Sequence, residues 1–459
     1  MSRPTLRPGP CLGTILFALV LFSSSPLQAE YLGGISFDRP SPSFLPHGVR
    51  VHVDIQYKID DPAGRYIFVM PYSDGAPVPD YGVSPSGLHG PGTGTASTFF
   101  TVTDGDRHVD HLRVYMRDAD FTEVPLEIFV PVGYSFGPHG IYDIEIDHSP
   151  HSRLPYGTRL NVEFAYGVDA PGCRIFARPY QGGELVPGYV ASGSVDLPPS
   201  GTYDQHFRFD ADADITDIAF RIYALDNTTL LDEFFVPWEC HWRQWGVYDI
   251  EFNVPNGESM HNSQQLVAEF TIDHDEPEGV CVWVQSIRDG SYCPGSVYQP
   301  SPYEPSGSHV VSRYTRVASG TATVDHVRVI LGRPDDHYLT FDVPMVVDYG
   351  PHALQDVVFE PAPPAILTHD EYLNMTWAYV TDAAEGVRTF ARAVYREEPL
   401  YGITATISPL YPAPSGIGSS RMLYGVDTLA DGVRFVMRED DQSVVCFERM
   451  VPGDFVWGE

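Results

Sequence analysis

Apolar and polar residues alternate over short stretches along this chain. In one stretch, Leu160, Val162 and Phe164 alternate with Asn161 and Glu163. A period of two is typical of β-strands that bury one face. We find no long stretch with the 3.6-residue period of an amphipathic helix. The pattern therefore predicts an all-β protein of many short antiparallel strands.

The same pattern recurs four times. An aromatic residue four positions after a glycine occurs at Phe68, Phe176, Trp283 and Phe390, at spacings of 108, 107 and 107 residues. A second anchor begins at Asp110, Asp217, Asp325 and Asp431 and ends in Arg113, Arg221, Arg328 and Arg434. A Val-Pro step contains Pro131, Pro237, Pro344 and Pro452. Three anchors with one period indicate a true internal repeat.

These anchors divide the chain into a leader, residues 1–29, and four repeats of about the size of one β-sandwich. The boundaries are 31–140 for repeat 1, 141–246 for repeat 2, 247–353 for repeat 3 and 354–459 for repeat 4. Because no Ser/Gly-rich spacer separates the repeats, we expect neighbours to touch. The expected shape is a stiff rod of roughly 140 Å.

The order of anchors in each repeat resembles that of the immunoglobulin-like and fibronectin-III-like sandwiches of secreted surface proteins. Asp110, just before the penultimate strand, is similar to the corner acid of many immunoglobulin domains. The Val-Pro step in the last strand predicts an edge or a bulge, because proline cannot donate to a ladder. No cysteine pair links equivalent strands in all repeats, so the resemblance is one of architecture and implies no function.

Residues 1–29 have the pattern of a secretory signal peptide. Arg3 and Arg7 precede an apolar run from 12 to 22, and small residues follow up to Ala29. The apolar run is too short to span a bilayer, so we expect no membrane insertion. The expected location is extracellular or at the cell surface, with the periplasm as an alternative.

The charge of the chain excludes some partners. The sequence has 28 Lys+Arg against 61 Asp+Glu, a formal net charge of -33, and Lys58 is its only lysine. Phosphate backbones and anionic lipid surfaces are repelled by such a field, so no nucleic-acid partner is expected. The content of 43% hydrophobic residues is nevertheless enough for packed cores.

Export makes disulfides an option for the cysteines after the leader. There are five of them, Cys173, Cys240, Cys281, Cys293 and Cys446. Five cysteines with one left over allow 15 pairings, and spacing alone does not choose among them. The main candidate bridge joins Cys281 and Cys293 across a turn at Asp289. A bridge from Cys240 to the next repeat is the competing hypothesis.

Candidate chemistry is sparse. No catalytic motif is present, and the distinctive positions recur four times rather than forming one constellation, so we expect no enzyme and no cofactor. Asp210, Asp212 and Asp214 have the spacing that opens a calcium loop, but Ile215 replaces the required glycine and Arg221 the required glutamate. A solvated turn is the favoured interpretation, with Ca²⁺ as the alternative.

Aromatic residues concentrate where repeat 2 meets repeat 3. Trp238, Trp242 and Trp245 lie within eight residues. Exposed indoles stack on sugar rings, and Tyr189, Tyr298 and Tyr303 in Pro-rich turns would extend such a platform. The alternative, which we favour, is that the indoles are buried and stiffen the junction, since large aromatics bury the most area per residue.

The strand after the glycine anchor has two unlike faces. One carries Arg174, Phe176 and Arg178, and the other carries the small residues Ile175 and Ala177. Either the aromatic face is buried and the arginines extend to solvent, or the small face is buried and the aromatic lies outside between two guanidinium groups. We favour the buried aromatic.

The sequence therefore favours an exported, non-enzymatic structural or adhesive rod, a surface spacer that associates with itself or with other surface proteins. The alternative is a carbohydrate-binding array that uses Trp and Tyr platforms to hold polysaccharide. A third hypothesis is an accessory protein of a hydrolase that lacks chemistry of its own.

Overall fold

The computed structural model describes residues 30–369, 371–406, 409–439 and 444–458, which form 39 β-strands. The all-β prediction is confirmed. No helix in these residues has the length and apolar character needed to cross a membrane. The predicted leader, residues 1–29, lies outside the described residues.

The strands fall into four groups, one for each repeat. Repeat 1 contains β1 (Tyr31–Phe37), β2 (Ser43–Pro46), β3 (Val51–Ile59), β4 (Arg65–Ser73), β5 (Ala76–Pro77), β6 (Tyr81–Ser84), β7 (Leu88–His89), β8 (Gly92–Val102), β9 (Arg107–Asp118) and β10 (Glu127–Gly137). Repeat 2 contains β11 (His139–Ile146), β12 (Ser152–Pro155), β13 (Leu160–Val168), β14 (Arg174–Gln181), β15 (Glu184–Leu185), β16 (Tyr189–Ala191), β17 (Ser200–Phe209), β18 (Ala213–Tyr223) and β19 (Leu230–Arg243).

Repeat 3 contains β20 (Gly246–Phe252), β21 (Glu258–His261), β22 (Leu266–His274), β23 (Val280–Arg288), β24 (Ser291–Tyr292), β25 (Ser296–Tyr298), β26 (Tyr303–Glu304), β27 (Gly307–Val317), β28 (Ala322–Arg333) and β29 (Asp336–Gly350). Repeat 4 contains β30 (His352–Glu360), β31 (Ala365–Thr368), β32 (Leu373–Thr381), β33 (Val387–Tyr395), β34 (Glu398–Pro399), β35 (Ile403–Ala405), β36 (Leu410–Tyr411), β37 (Ser415–Tyr424), β38 (Thr428–Glu439) and β39 (Val445–Gly458).

Each repeat is a sandwich of two sheets with an immunoglobulin-type strand order. In repeat 2, one sheet runs β11-β13-β17-β16 and the other runs β12-β19-β18-β14-β15. The second sheet holds the central strands that correspond to C, F and G of an immunoglobulin domain. Repeats 1, 3 and 4 have the same order. The resemblance found in the sequence is therefore one of strand topology.

Inward-facing apolar residues fill the space between the two sheets. Leu112, Val114 and Met116 are buried, as their alternation predicts. The buried residues form four hydrophobic clusters, each made mainly by one repeat.

A short strand of each repeat connects that repeat to the next. These strands are β2, β12, β21 and β31, and each pairs in parallel with the last strand of its own repeat. On the other side β2 meets β11 and β12 meets β20, at Phe44↔Ile141 and Arg153↔Val247. Between repeats 3 and 4 the Ser259 hydroxyl replaces this strand pairing. It donates to the Leu354 carbonyl at 2.5 Å and accepts the Leu354 N–H at 3.0 Å.

The series of contacts closes on itself. The short strand of repeat 4, β31, meets the first strand of repeat 1 at Leu32↔Ile366. The Lys58 ammonium donates to Glu371 at 2.6 Å across the same joint, and Ile366 and Val456 belong to the core of repeat 1. The predicted rod is therefore wrong. Neighbouring repeats do touch, but repeat 4 returns to repeat 1.

Bulges mark the same places in every repeat. The register shifts directly beside Pro131, Pro237, Pro344 and Pro452, so the last strand is bulged at the Val-Pro step, and its outer edge is covered by the short strand. A second bulge in the first strand places Asp143, Asp249 and Asp356 at φ near +50°. Such bulges bend the strand and increase its twist.

The corner acid holds a hairpin turn. The Asp110 carboxylate accepts the Asp74 N–H at 2.8 Å, and Asp325 and Asp431 accept the equivalent N–H groups at 2.7 Å. In repeat 2 the Thr216 hydroxyl accepts the Gly182 N–H at 3.1 Å instead. The counterpart of Asp110 is thus Thr216, so the sequence alignment through Asp217 was wrong.

Candidate functional site

The central sheet of each sandwich presents an outer face that is rich in aromatic and arginine side chains. In repeat 2 the small residues Ile175 and Ala177 of β14 lie in the core. Successive side chains of a strand point to opposite faces, so Phe176 and Arg178 lie on the outside. Our preferred interpretation, with the aromatic residue buried, was therefore wrong.

We call the outward-facing residues of β14, β18 and β19 the outer strip of repeat 2. The Arg178 guanidinium carbon lies 4.7 Å from the centre of the Phe176 ring and 5.7 Å from that of Tyr189. The Arg221 guanidinium carbon lies 5.4 Å from the Tyr180 ring centre. These are cation–π distances. Tyr189, a candidate ligand-binding residue in the sequence, thus lies at one end of this strip.

Ion pairing sets the charge of the strip. Arg221 donates through Nε to Glu233 at 2.5 Å. Burial tends to lower the pKa of Arg221, but the hydrogen bond and charge of Glu233 outweigh it and raise the pKa. Burial lowers the pKa of Arg178, whose guanidinium group donates to the Ala177 carbonyl at 2.8 Å. Both arginines remain cationic at neutral pH.

The same kind of arginine–acid pair recurs on the outer face of every repeat. In the other three repeats the arginine Nε also lies close to the carboxylate. The distance is 2.6 Å for Arg113–Glu127, 2.7 Å for Arg328–Asp342 and 3.3 Å for Arg434–Glu448.

The register of the pair differs between repeats. In repeats 1 and 4 the two residues lie diagonally across the paired strands, whereas Arg221 lies directly opposite Glu233 and Arg328 directly opposite Asp342. Glu233 lies four residues before its Val-Pro proline, as in repeats 1 and 4, but Asp342 lies only two before Pro344. Compared with repeats 1 and 4, the arginine of repeat 2 is therefore shifted along its strand to the next position on the same face. In repeat 3 it is the acid that is shifted in this way. The ion pair forms in both repeats.

The outer strip of repeat 1 is the most aromatic. Phe68 stacks on Tyr115 with ring centres 5.4 Å apart, and Tyr66 stacks on Phe121 at 4.8 Å. Arg113 lies over the Tyr115 ring at 4.5 Å. Burial raises the pKa of the Tyr115 hydroxyl, which is therefore neutral at physiological pH. An apolar ladder beside a fixed charge pair is suited to protein–protein contact.

The three tryptophans do not form a common platform. Trp242 has 0% of its surface exposed, packs against Phe207 and Phe209 and donates from Nε1 to the Thr158 carbonyl at 2.9 Å. Trp245 packs on Tyr338 of repeat 3, and Trp238 packs on the edge of the repeat 2 core. Trp242 is thus a core residue of repeat 2 and offers no face to a ligand.

The other two candidate tyrosines are exposed. Tyr298 on β25 and Tyr303 on β26 expose 42% and 55% of their surface. Both lie in repeat 3, in the segment between β24 and β27 that crosses from one sheet to the other. They lie apart from the three tryptophans and are accessible to a ligand.

The aspartate triplet has separate partners for each carboxylate. Asp210 lies 3.6 Å from Arg208, Asp212 accepts the Tyr156 hydroxyl, and Asp214 contacts His241 and Arg243, each at 2.6 Å. In the part of the chain that the structure describes, no three His, Cys, Asp or Glu side chains are grouped to hold a metal ion. Asp210 and Asp212 lie in the bend between β17 and β18, and Asp214 lies in β18.

The predicted disulfide between Cys281 and Cys293 is absent, and all five cysteines of the described residues are unpaired. Cys293 lies in the core with Val280 and Val282, whereas Cys281 lies between those two valines on the opposite face of β23. Cys240 is buried in the repeat 2 core, which also prevents a bridge to repeat 3. Burial raises the pKa of the Cys173 thiol to about 11.

A polar cleft of about 320 Å³ lies between repeats 3 and 4. Its side chains are engaged in joining the two repeats. Gln264 donates to the Gln355 amide oxygen at 2.9 Å, and Glu258 pairs with Arg449. The cleft is therefore part of a joint between repeats rather than a built ligand site.

No family model and no curated protein matches the chain. A solved Escherichia coli alpha-2-macroglobulin, activated by porcine elastase, is 10% identical over 93% of this chain and 44% of its own, with a TM-score of 0.18. Two marsupial T cell receptor structures are 9% and 11% identical over 68% and 67% of this chain and 99% of theirs, each with a TM-score of 0.17.

The chain thus spans less than half of the macroglobulin, and the likeness to either protein is too low to carry an argument about function. The class rests on the strand order. The chain is an all-β protein built from sandwiches with an immunoglobulin-type strand order.

Proposed function

We propose that this protein is an exported, non-enzymatic scaffold whose four outer strips bind partner proteins at a cell surface. The observation that carries the proposal is the recurrence of one surface feature, the arginine–acid pair, in every repeat. In repeats 1, 2 and 3 the arginine of this pair also lies over an aromatic ring. A sandwich core needs inward-facing apolar residues, but it does not need this arrangement on the outside.

The closed arrangement of the repeats supports a scaffold rather than a spacer. A rod separates its two ends, whereas a closed set of repeats holds four equivalent faces at fixed angles. Four weak contacts on one rigid body act together, since after the first contact the others form at a high effective concentration. This favours multivalent binding to a surface that carries many copies of a partner.

The composition of the strips also supports contact with proteins. Arg178 and Arg221 are held over aromatic rings, and arginine with tyrosine is the composition enriched at protein interfaces. The net charge of -33 favours a partner with a basic surface around the contact.

Photo-crosslinking in the producing organism tests the proposal. A photoreactive phenylalanine analogue is placed at Phe68, Phe176 or Phe390, and at Glu163 as the control, an exposed position on the outer face of the other sheet. We expect the three strip positions to capture the same partner and the control to capture none. Equal capture at the control, or none at the strips, would contradict the proposal.

A carbohydrate-binding function is the second candidate, and the exposed Tyr298 and Tyr303 favour it. A glycan array probed with the full chain tests this function. Binding that disappears in Tyr298→Ala and Tyr303→Ala, and persists in Phe176→Ala, would place the activity on the edge of repeat 3. An empty array would remove this candidate.

A further inference from the structure

The joint between repeats 4 and 1 differs from the other three in one respect. Repeats 1 and 2, 2 and 3, and 3 and 4 follow each other directly along the chain, so a short covalent connection holds each pair together. Repeats 4 and 1 are far apart in sequence, and non-covalent contacts alone join them.

The contacts at this joint are of the same kind as those between consecutive repeats. The bridge Leu32↔Ile366 corresponds to Phe44↔Ile141, and in both a short strand meets the first strand of the next repeat. The Gly34 N–H also donates to the Ala362 carbonyl at 3.0 Å. The contact is head-to-tail, so it joins two different surfaces, and such contacts form closed rings or open chains.

A head-to-tail joint without a covalent link can form between molecules as well as within one. Repeat 1 of a second copy presents the same β1 edge and the same Lys58 to β31 and Glu371 of the first. Within one chain, closure is favoured by the high local concentration of the two surfaces. At high protein concentration, or after transient opening, the intermolecular joint competes with it.

We propose that the joint between β31 and β1 is exchangeable, and that a second copy of this chain binds there to give a closed dimer of eight repeats. No new surface is needed, because two chains form with each other the same interactions that one chain forms with itself. The inference goes beyond the proposed function, since it concerns the joint and uses none of the outer strips.

The ion pair of Lys58 with Glu371 provides a selective test, because each partner can be reversed separately. In the Lys58→Glu chain two glutamates face each other at the joint, and in the Glu371→Lys chain two lysines do. Each chain alone therefore repels itself, both within one molecule and in a homodimer. In a mixed dimer both joints carry opposite charges.

The two full-length variants are mixed at equal concentration, opened in mild urea and returned to buffer. Size-exclusion chromatography with light scattering then gives the mass. We expect each variant alone to remain monomeric and the mixture to shift to twice the monomer mass. The double variant with Lys58→Glu and Glu371→Lys is the control, since it restores the pair within one chain and should behave as the unmodified protein.

A mixture that stays at monomer mass, while the double variant remains folded by circular dichroism, would overturn the exchange. The same result would leave the outer strips and their crosslinks untouched. Dimers of either variant alone, in the same amount as the mixture, would also overturn it, because association would then not use this joint.

Discussion

Replacement of Trp242 by alanine separates a core role from a junction role. The indole has no exposed surface and fills the space beside Phe207 and Phe209. Removal of a buried tryptophan costs about 3–5 kcal/mol, including the cavity that remains. The Thr158 carbonyl also loses its donor, which adds about 1 kcal/mol. We therefore expect Trp242→Ala to remove about 4–6 kcal/mol from repeat 2, a large part of the 5–15 kcal/mol that stabilises a typical domain.

Hydrogen exchange followed by mass spectrometry measures this loss locally, which is necessary because a chain of several sandwiches does not unfold in one step. We expect peptides from β13 and β17 to lose protection by about three to four orders of magnitude, since 1.4 kcal/mol is about a factor of ten. Peptides from β32 and β37 in repeat 4 should change little.

Trp245→Ala is the matched control for this prediction. Its indole packs on Tyr338 and donates to Asp275, so protection should fall in repeat 3 and much less in repeat 2. If Trp242→Ala leaves β13 and β17 protected and changes only the arrangement of the repeats, the indole acts at the junction and the core assignment is wrong.

Four further substitutions test other features. Burial, assisted by the charge of Asp431, raises the pKa of Asp454 to about 6, above its usual 3.8, so the folded state disfavours the carboxylate. Asp454→Asn should then stabilise repeat 4 by about 1–3 kcal/mol at pH 8 and have no effect at pH 3, as measured by urea unfolding at both pH values. Burial and, as the second cause, the charge of His309 lower the pKa of His274. As the pH falls, the unfolded chain therefore takes up a proton at this residue at a higher pH than the folded protein does. The stability of repeat 3 should then decrease as the pH drops below about 6.5. His274→Phe should remove this dependence in repeat 3, and an unchanged pH profile would contradict the assignment to His274. Asp325→Ala should destabilise repeat 3 by about 1 kcal/mol, because the hydrogen bond from the Asp289 N–H is lost. Thr216→Ala should destabilise repeat 2 by a similar amount. If neither variant is destabilised, the corner residue does not hold the turn.

Alternation and repeated anchors were sufficient to predict the sandwiches. Inward positions such as Leu112 and Phe164 follow from the period of two, because one face of each strand must be buried. The bulge at each Val-Pro step follows from the missing N–H of proline. These are local consequences of backbone chemistry, so the sequence carries them directly.

Relations between sandwiches were not predictable in the same way. The closure depends on contacts such as Leu32 with Ile366, which no local pattern connects. The closure also depends on the angle between neighbouring repeats, because small rotations at the four joints decide between a rod and a ring. Which face of a strand is buried also depends on tertiary packing. For this reason Phe176 was wrongly expected in the core and Cys281 was wrongly expected in a bridge with Cys293.

Small-angle X-ray scattering of the full chain in solution tests the closed arrangement most directly. Four sandwiches of about 35 Å end to end would give a maximum dimension of roughly 140 Å and a radius of gyration of about 40 Å. The closed set should give a maximum dimension below about 100 Å and a radius of gyration below about 30 Å, near the value for a compact chain of this length. Values close to those of the rod, from a monomeric and folded sample, would contradict the contact between repeats 4 and 1.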